Sequence, residues 1–478
     1  MNKNIKLNWK YLLSEDRMRL SATSDTVDCR NEFDKDYDRI VYSSSVRRLQ
    51  DKAQVFPLQE NDFPRTRLTH SIEVSALARS FGYSIGTWLL KQKDKDLYFD
   101  YGFCEEKQIK KLATMLQTAA LVHDLGNPPF GHYGEAIIRK WFSKFFDSEK
   151  FNKRELNSLS KQQKNDFLYF EGNAQTLRIL SKLQMLNDEY GINFTYGTLA
   201  TIIKYPWNSC GISSDKKKFG YFFSEEKLVE KVFSSTGLNK NIKHPATFLL
   251  EAADDIAYLT ADIEDGVKKG IVPWNKEYEK IKNKLENIIP EIFQNIEKKM
   301  KAVKEKKIPN DNLVSIQNFK IFTQSYLFKK AISTFKDNYN DIMTGNFKKN
   351  LLYECEDLVD ELKRIAQDYC YSNEEVIQLE LLGDSVLNGL LDKFISIVNN
   401  PQNTKDLHTY EGKIYNLISE NFKYYCCLIE LENGKRSLKE FTEVDLYNQL
   451  LLITDYISGM TDSFALNLYK KLIGVKLY

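Results

Sequence analysis

The chain has 478 residues, with 68 lysine and arginine residues against 66 aspartate and glutamate residues. This length exceeds what one compact core usually holds, so we expect one large domain with appendages or two domains. The near balance of charge excludes a general attraction to polyanions, so any anion site must be local.

The cysteine pattern and the lack of long apolar segments indicate the compartment. Seven cysteines form no CxxC pair, and their odd number predicts free thiols in a reducing cytosol. Adjacent Cys426 and Cys427 are expected to be buried helix residues without a redox role. The N-terminal residues lack the apolar region of a signal peptide, and no apolar segment approaches the length needed to cross a membrane. We therefore expect a cytoplasmic protein without membrane contact.

Helices dominate the predicted structure, because only 10 prolines and 21 glycines interrupt long amphipathic stretches. Apolar side chains recur at helical spacing on one face of three segments. We predict these helices over residues 68–90, over 108–123, and from Pro245, which suits a first helical turn, through Asp262. Residues 143–170 are polar and predict a surface excursion. A short hairpin is predicted near 207–226, where turn formers stand beside aromatic residues.

Three of the five histidines lie in two short motifs that indicate one metal site. The motifs are RTRLTH, which ends at His70, and HDLGNPPFGHYGE, which begins at His123. A protein-bound divalent cation takes imidazole and carboxylate ligands from rigid elements. The helical patterns place His70, His123 and the adjacent Asp124 on inward faces. Asp254 is the candidate fourth ligand, because a carboxylate in an apolar helical face is costly unless it is paired or metal-bound.

Simpler interpretations exist for each of these residues taken alone. A single buried histidine is usually a hydrogen-bonded core residue, and His244 and His408 are interpreted in that way. An isolated His-Asp pair also suits a surface or capping role. The combination of His70, His123-Asp124 and Asp254 on three inward helical faces, with a Gly-Pro turn after the pair, favours the metal site.

Six sequence strings resemble the bacterial deoxyguanosine triphosphate triphosphohydrolases, a family of HD-domain metallohydrolases. The resemblance runs in order from about residue 30 to 465, so it covers nearly the whole chain. The strings are RRLQDKAQVF (47–56), RTRLTH (65–70), HDLGNPPFGHYGE (123–135), FEGNAQT (170–176), EAADDIAY (251–258) and TDYISGMTD (454–462). The resemblance implies hydrolysis of dGTP, or of other dNTPs, to a deoxynucleoside and inorganic triphosphate by attack of water at the α-phosphorus.

The predicted fold is all-α, with an HD-domain helical core, a small β-hairpin and a helical C-terminal region. Residues 1–60 are expected to form an N-terminal segment that contributes to the pocket and to an oligomer interface. Residues 61–275 are expected to form the catalytic core, and residues 276–478 the helical region that completes the nucleotide pocket. Related enzymes form oligomers, often hexamers, so the resemblance implies a homo-oligomer.

The resemblance implies that His70, His123, Asp124 and Asp254 bind one divalent metal ion per active site. Two imidazoles and two carboxylates suit Mn, Fe, Ni or Co, and suit Mg less well. Mn or Mg is the usual activator in such enzymes, and the sequence leaves the choice of metal open.

His132 and Glu135 are the candidate catalytic residues, and the matching pair is assigned to catalysis in the family. His132 lies beyond the turn and can protonate the 5′-oxygen of the leaving group, while Glu135 can keep its imidazole charged. The alternatives are a fifth ligand or a helix-start residue for His132, and a first-turn carboxylate favoured by the helix dipole for Glu135.

The resemblance also implies a set of substrate contacts. Arg67 lies one helical turn before His70 and is expected at the phosphates, its alternative being a surface arginine. Tyr258 is expected under the deoxyribose, where it would exclude ribonucleotides, unless it only packs in the core. The remaining expected contacts are Lys204 near the phosphates, Asp262 at the 3′-hydroxyl, Gln54 at the sugar, and Asn173 and Gln175 along the pocket.

Two other functions stay open at this point. An HD phosphatase or phosphodiesterase acting on another nucleotide would release orthophosphate or pyrophosphate instead of triphosphate. A regulatory sensor would bind dNTPs or single-stranded nucleic acid without turnover, although the intact His132-Glu135 pair argues against it. The sequence carries no basic-aromatic groove signature that supports nucleic-acid binding. Base preference, and activation by a second nucleotide, stay open as well.

Overall fold

The computed structural model describes residues 6–19, 28–57, 64–92, 101–148, 156–184, 188–309, 311–430 and 436–475. Helices make up most of these residues, so the predicted all-α class is confirmed. The α-helices are α1 (Trp9–Leu12), α2 (Glu32–Val41), α3 (Ser44–Arg48), α4 (Arg67–Lys91), α5 (Lys107–Val122), α6 (Gly131–Asp147), α7 (Lys161–Leu168), α8 (Gly172–Arg178), α9 (Tyr196–Ile202), α10 (Glu226–Thr236), α11 (Pro245–Lys268), α12 (Trp274–Leu285), α13 (Pro290–Glu305), α14 (Asp311–Asp337), α15 (Tyr339–Met343), α16 (Glu356–Ile365), α17 (Glu374–Phe394), α18 (Ser396–Asn399), α19 (Tyr410–Leu417), α20 (Glu420–Cys427), α21 (Leu446–Ser458) and α22 (Asp462–Leu472). No helix in these ranges is long and apolar enough to cross a membrane.

Helices α4 and α5, which carry the first two histidine motifs, pack directly against each other. Helix α4 begins after Thr66, whose hydroxyl accepts a hydrogen bond from the backbone N–H of Thr69 in a capping box. At Gly82 an added Cβ would lie 2.4 Å from the Cα of Ala113 on α5. Because this crossing leaves no room for a side chain, glycine permits the close spacing of the two helices. Both helices match the predicted ranges.

Helix α11 supplies the third inward face and begins at Pro245, as predicted. His244 caps it: Nδ1 accepts the N–H of Ala246 at 3.0 Å, and Nε2 lies 3.1 Å from the carbonyl oxygen of Leu12. His244 is buried and both ring nitrogens make these contacts, so its interpretation as a hydrogen-bonded core histidine is confirmed. Burial lowers its pKa to about 4. His408 is exposed in the turn before α19, so its predicted place in the core is wrong.

Two hydrophobic clusters hold the helices together. One contains the inner faces of α4, α5, α11 and α14, and the other contains those of α6, α17 and α21. The turn after α5 lies between them, because Leu125 belongs to the first cluster and Phe130 to the second. This double burial fixes the turn that carries the HD motif. The domain limits at residues 60 and 275 stay predictions.

The predicted hairpin near 207–226 is wrong in its location. That segment contains 3₁₀ turns and an isolated parallel bridge between Asn208 and Tyr221. The indole Nε1 of Trp207 donates to the carbonyl of Lys218 at 2.7 Å, and Tyr221 is buried, so the aromatic residues anchor a compact loop. The antiparallel strands of the described residues are instead β1 (Leu428–Glu430) and β2 (Arg436–Leu438).

Within the predicted surface excursion over 143–170, residues 143–148 are exposed or half-buried as expected, but the prediction is wrong for the later part. Residues 149–155 lie outside the described residues. From Leu156 onward the segment packs inward, with Leu156, Phe167 and Phe170 buried in the second cluster. The seven cysteines are free thiols as predicted, and Cys426 and Cys427 are buried at the end of α20.

Candidate active site

The turn after α5 brings the end of one helix and the start of the next to a single cavity. It runs from His123 to Gly131, and both Phe130 (φ 63°) and Gly131 (φ 61°) are left-handed. This conformation costs a non-glycine residue on the order of 1 kcal/mol. The backbone N–H of Phe130 donates to Asp462 Oδ1 at 2.9 Å, which holds it there. At Gly131 an added Cβ would lie 2.5 Å from Nη2 of Arg67, so only glycine leaves room for that guanidinium.

The four predicted metal ligands lie together at one end of the cavity. Possible ligand atoms of His70, His123 and Asp124 lie within 4.8 Å of one another. Oδ1 of Asp254 is 3.2 Å from Nε2 of His70 and 3.3 Å from Nε2 of His123. Nε2 of His123 is 3.5 Å from Oδ1 of Asp124. Ligands bonded to one cation at about 2.0–2.2 Å stand roughly 3–3.6 Å apart, so these distances fit such a cation.

The hydrogen bonding of His123 supports the same conclusion. Its Nδ1 lies 2.7 Å from the carbonyl oxygen of Ala120 and therefore donates a proton to it, so Nε2 is the ring nitrogen that faces the carboxylates. Nε2 is buried and has no hydrogen-bond partner among the described residues. Burial opposes a charge on this imidazole, but Asp124 and Asp254 raise its pKa, and a bound cation would balance these two carboxylates in place of the ring proton. The donor set therefore fits a divalent metal ion.

Asp124 is also held by groups outside the ligand set. Its Oδ2 accepts from Nη1 of Arg67 at 2.7 Å, and its Oδ1 accepts from Nδ2 of Asn127 at 2.7 Å. Burial opposes ionisation, but His123 and Arg67 hold the pKa of Asp124 well below its usual range. Arg67 is buried at the cavity wall, so its alternative as a surface arginine is wrong.

Lys204 is paired with Asp254. Its Nζ lies 3.2 Å from Asp254 Oδ2, and it is not part of the cavity wall among the described residues. Burial opposes the charge of both groups, but each stabilises the charged form of the other. As a result the pKa of Lys204 is raised and that of Asp254 is lowered, with His123 the largest contributor to the latter.

His132 and Glu135 form a pair on the first turn of α6. Nδ1 of His132 lies 3.1 Å from Oε2 of Glu135, and Oε1 of Glu135 accepts the N–H of Gly172 at 2.7 Å. The imidazole is 72% exposed and lines the cavity, whereas the carboxylate is 3% exposed. Burial favours the neutral acid, yet contact with His132 lowers the pKa of Glu135 below its ordinary value. A buried anion thus orients an imidazole that projects into the cavity.

The cavity has a volume of about 810 Å³ and extends away from the ligand cluster along α11. Eight predicted site residues line it: Gln54, Arg67, His70, Asp124, His132, Asp254, Tyr258 and Asp262. The side chains of Asn173 and Gln175, by contrast, are not part of the cavity wall that the structure describes. Nδ2 of Asn173 donates to Glu171 at 2.6 Å, and Nε2 of Gln175 donates to Asp455 at 3.0 Å.

The far end of the cavity contains residues that the sequence did not single out. Tyr371 donates its hydroxyl to Oδ2 of Asp262 at 2.7 Å, across 109 residues of sequence. Burial raises the pKa of Asp262 to about 6, against the effect of this hydrogen bond. Lys363, Gln367 and Glu380 from α16, α17 and the π-helical segment between them complete the wall. No local motif marks these residues, and only their amphipathic helical pattern is visible in the sequence.

Comparison with known proteins gives a consistent assignment. Residues 67–169 match the HD domain family. A deoxyguanosinetriphosphate triphosphohydrolase-like protein of Listeria innocua is 38% identical, over 98% of this chain and 100% of its own length. A deoxyguanosinetriphosphate triphosphohydrolase of Klebsiella pneumoniae is 31% identical over 98% of both chains. The chain therefore belongs to the deoxyguanosinetriphosphate triphosphohydrolase family of HD-domain proteins and is an enzyme of that family.

Proposed function

We propose that this enzyme hydrolyses dGTP, and related dNTPs, to the deoxynucleoside and inorganic triphosphate. The observation that carries the proposal is one cavity of about 810 Å³ that joins a candidate metal cluster, an oriented imidazole and a polar far end. A nucleoside triphosphate has the matching arrangement of chemical groups, with phosphates at one end and sugar and base at the other. Family membership supports the same substrate class.

We propose that His70, His123, Asp124 and Asp254 hold one divalent metal ion, with Mn or Mg as the expected activator. Such an ion, when bound, polarises a phosphate and lowers the pKa of water. The contacts of Arg67 and Asn127 to Asp124 fix the orientation of that carboxylate, and Lys204 does the same for Asp254. These partners keep both carboxylates ionised, which a cation site requires.

His132 is the proposed general acid. It donates its proton to the 5′-oxygen as the bond between that oxygen and the α-phosphorus breaks, so the nucleoside leaves as an alcohol. Glu135 stabilises the protonated imidazole before the transfer, because it is an anion 3.1 Å from Nδ1. The exposed Nε2 side of the ring is then the one that faces the substrate.

The remaining cavity residues are proposed to position the nucleotide. Arg67 at the ligand end supplies positive charge for the phosphates. Tyr258 and Asp262 lie one and two turns beyond Asp254 on α11, which suits contacts to the deoxyribose and its 3′-hydroxyl. Gln54 is also proposed at the sugar, and its Oε1 is buried without a hydrogen-bond partner in the described part of the chain. A homo-oligomeric state stays a prediction.

Product analysis tests the proposed function. The purified protein is incubated with each of the four dNTPs and with GTP, singly and in pairs, in the presence of Mg or Mn. Deoxyguanosine and intact triphosphate are the expected products from dGTP. Release of orthophosphate or pyrophosphate would indicate a different HD phosphohydrolase. Binding of dGTP to the metal-loaded protein without release of deoxyguanosine would indicate a sensor.

A further inference from the structure

A cluster of charged side chains lies behind His132, away from the cavity. It consists of Glu135 and Arg139 on α6 and of Glu171, which immediately precedes α8. The carboxylates of Glu135 and Glu171 are 3% and 1% exposed. Two buried carboxylates in one cluster repel each other and do not both stay ionised without an opposite charge. The proposed reaction uses Glu135 but gives no role to the other two residues.

Arg139 bridges the two carboxylates. Its Nη2 lies 3.5 Å from Oε2 of Glu135 and 3.3 Å from Oε2 of Glu171. Its Nε donates to the carbonyl of Phe170 at 2.7 Å, which fixes the plane of the guanidinium. Oε2 of Glu135 is also the oxygen that contacts Nδ1 of His132. The arginine therefore acts on the carboxylate oxygen that orients the imidazole.

The other groups around Glu135 are few. Nζ of Lys218 is 3.7 Å from Oε1 of Glu171. Burial, together with the charges of Glu171 and Glu135, raises the pKa of Tyr205. Burial, and the nearby charge of Glu135, raise the pKa of Glu171 above its ordinary value. The pKa of Glu135 is lowered, because His132, Arg139 and Lys218 outweigh burial. Arg139 and Glu171 thus act on Glu135 with opposite signs.

We propose that Arg139 and Glu171 are positioning residues, whose opposed charges hold the Glu135 carboxylate against the His132 imidazole. Neither residue lines the cavity among the described residues, so neither is expected to touch the substrate. The kinetic consequence rests on the proposed function, since it requires His132 to act as the acid. The electrostatic consequence is a property of the folded chain alone.

The test uses Arg139→Gln, Glu171→Gln and the double variant, with Lys140→Gln as the matched control. Lys140 is the next residue on α6 and is exposed, so this control removes a charge from the same helix without touching the cluster.

Loss of Arg139 should raise the pKa of Glu135 by about one unit, loss of Glu171 should lower it, and the double variant should return toward the parent. Activity should require ionised Glu135. The acid limb of kcat against pH should therefore move upward in Arg139→Gln. At neutral pH, where Glu135 stays ionised, kcat should fall by about tenfold through loss of its orientation, with KM nearly unchanged.

An NMR titration of the histidine rings gives a second readout that needs neither metal nor turnover. The chain has only five histidines, and the signal of His132 is assigned by its loss in His132→Gln. Its lower titration step reports Glu135 and should move in opposite directions in the two single variants. Shifts in the same direction, or no shifts, overturn the proposal. If Arg139→Gln does not fold, a downward shift in Glu171→Gln supports it and an unchanged step overturns it.

The two readouts separate this inference from the proposed function. If the parent protein releases no triphosphate but the His132 titration shifts as expected, the proposed function fails and the charge arrangement stands. If triphosphate is released and the titration of His132 is unchanged in every variant, the proposed function stands and Arg139 and Glu171 have no positioning role.

Discussion

The two ends of the cavity are built in different ways. At the ligand end each carboxylate has a charged partner within 3.5 Å: Arg67 for Asp124, and Lys204 for Asp254. At the far end Lys363 and Gln367 are exposed, and a hydrogen bond joins Tyr371 to Asp262. Buried carboxylates held by ion pairs stay in one arrangement, whereas exposed side chains can adapt. We therefore propose that the chemistry takes place at the rigid end and that the adaptable end selects the nucleotide.

The largest expected effect comes from substituting a proposed metal ligand at the rigid end. His123→Ala or Asp124→Ala should abolish stable metal binding and lower kcat by more than about 10³-fold, because several kcal/mol of charge stabilisation are lost. Metal analysis of the purified variants, alongside the product assay, checks this. His408→Ala is the matched control, since His408 is exposed and distant from the cluster, and it should retain both metal and activity. Full metal content in His123→Ala would contradict the ligand assignment.

A smaller effect is expected when the proposed general acid, His132, is removed and the four proposed metal ligands are left intact. His132→Gln should lower kcat by about 10²–10⁴-fold, the usual range for loss of a general acid. Metal content and dGTP binding should be retained, because the side chain is 72% exposed and is not in the ligand set. Steady-state kinetics with metal analysis makes the comparison. A variant with unchanged kcat would show that His132 is not the acid.

Tyr258 lies between the two ends, one turn beyond Asp254 on α11, so its removal should change selectivity more than rate. Tyr258→Ala opens space beside the proposed position of the sugar 2′-carbon. The preference for dGTP over GTP should then fall by about tenfold, as expected for the loss of one steric contact. The ratio of kcat/KM for the two nucleotides measures it. An unchanged ratio would mean that Tyr258 only packs against the cavity wall.

The two ends of the cavity also differ in how much of each could be predicted from the sequence. At the ligand end, His70, His123-Asp124 and Asp254 each lie in a short motif on a helix or at its end, so sequence alone indicated that they meet. The far end depends on a contact between α11 and a segment 109 residues later. An amphipathic pattern shows that one face of α16 is buried but not which helix covers it.

Lys204, Asn173 and the 207–226 loop show a second limit. Resemblance suggested Lys204 and Asn173 as pocket residues, but side-chain pairing turns them toward Asp254 and Glu171. The partner of Lys204 is 50 residues away in the sequence, whereas that of Asn173 is only two residues away, where several local contacts were equally open to the side chain. The hairpin prediction failed because turn formers and aromatic residues also suit a compact loop, and the burial of Tyr221 determines which one forms.

The smallest effect is expected at the Tyr371–Asp262 hydrogen bond. Tyr371→Phe keeps the ring and removes only the hydroxyl that donates to Asp262, so the fold and the metal content should not change. That hydrogen bond lowers the pKa of Asp262, which burial raises to about 6, so its loss should raise the pKa further. More of the variant then carries a neutral Asp262 near pH 7, and a neutral acid accepts a 3′-hydroxyl less well. KM for dGTP should therefore rise by about three- to tenfold below pH 7 and recover at higher pH, while KM for the 2′,3′-dideoxy analogue stays constant. Equal changes for both nucleotides would place the role of Tyr371 in the shape of the cavity and not in the charge of Asp262.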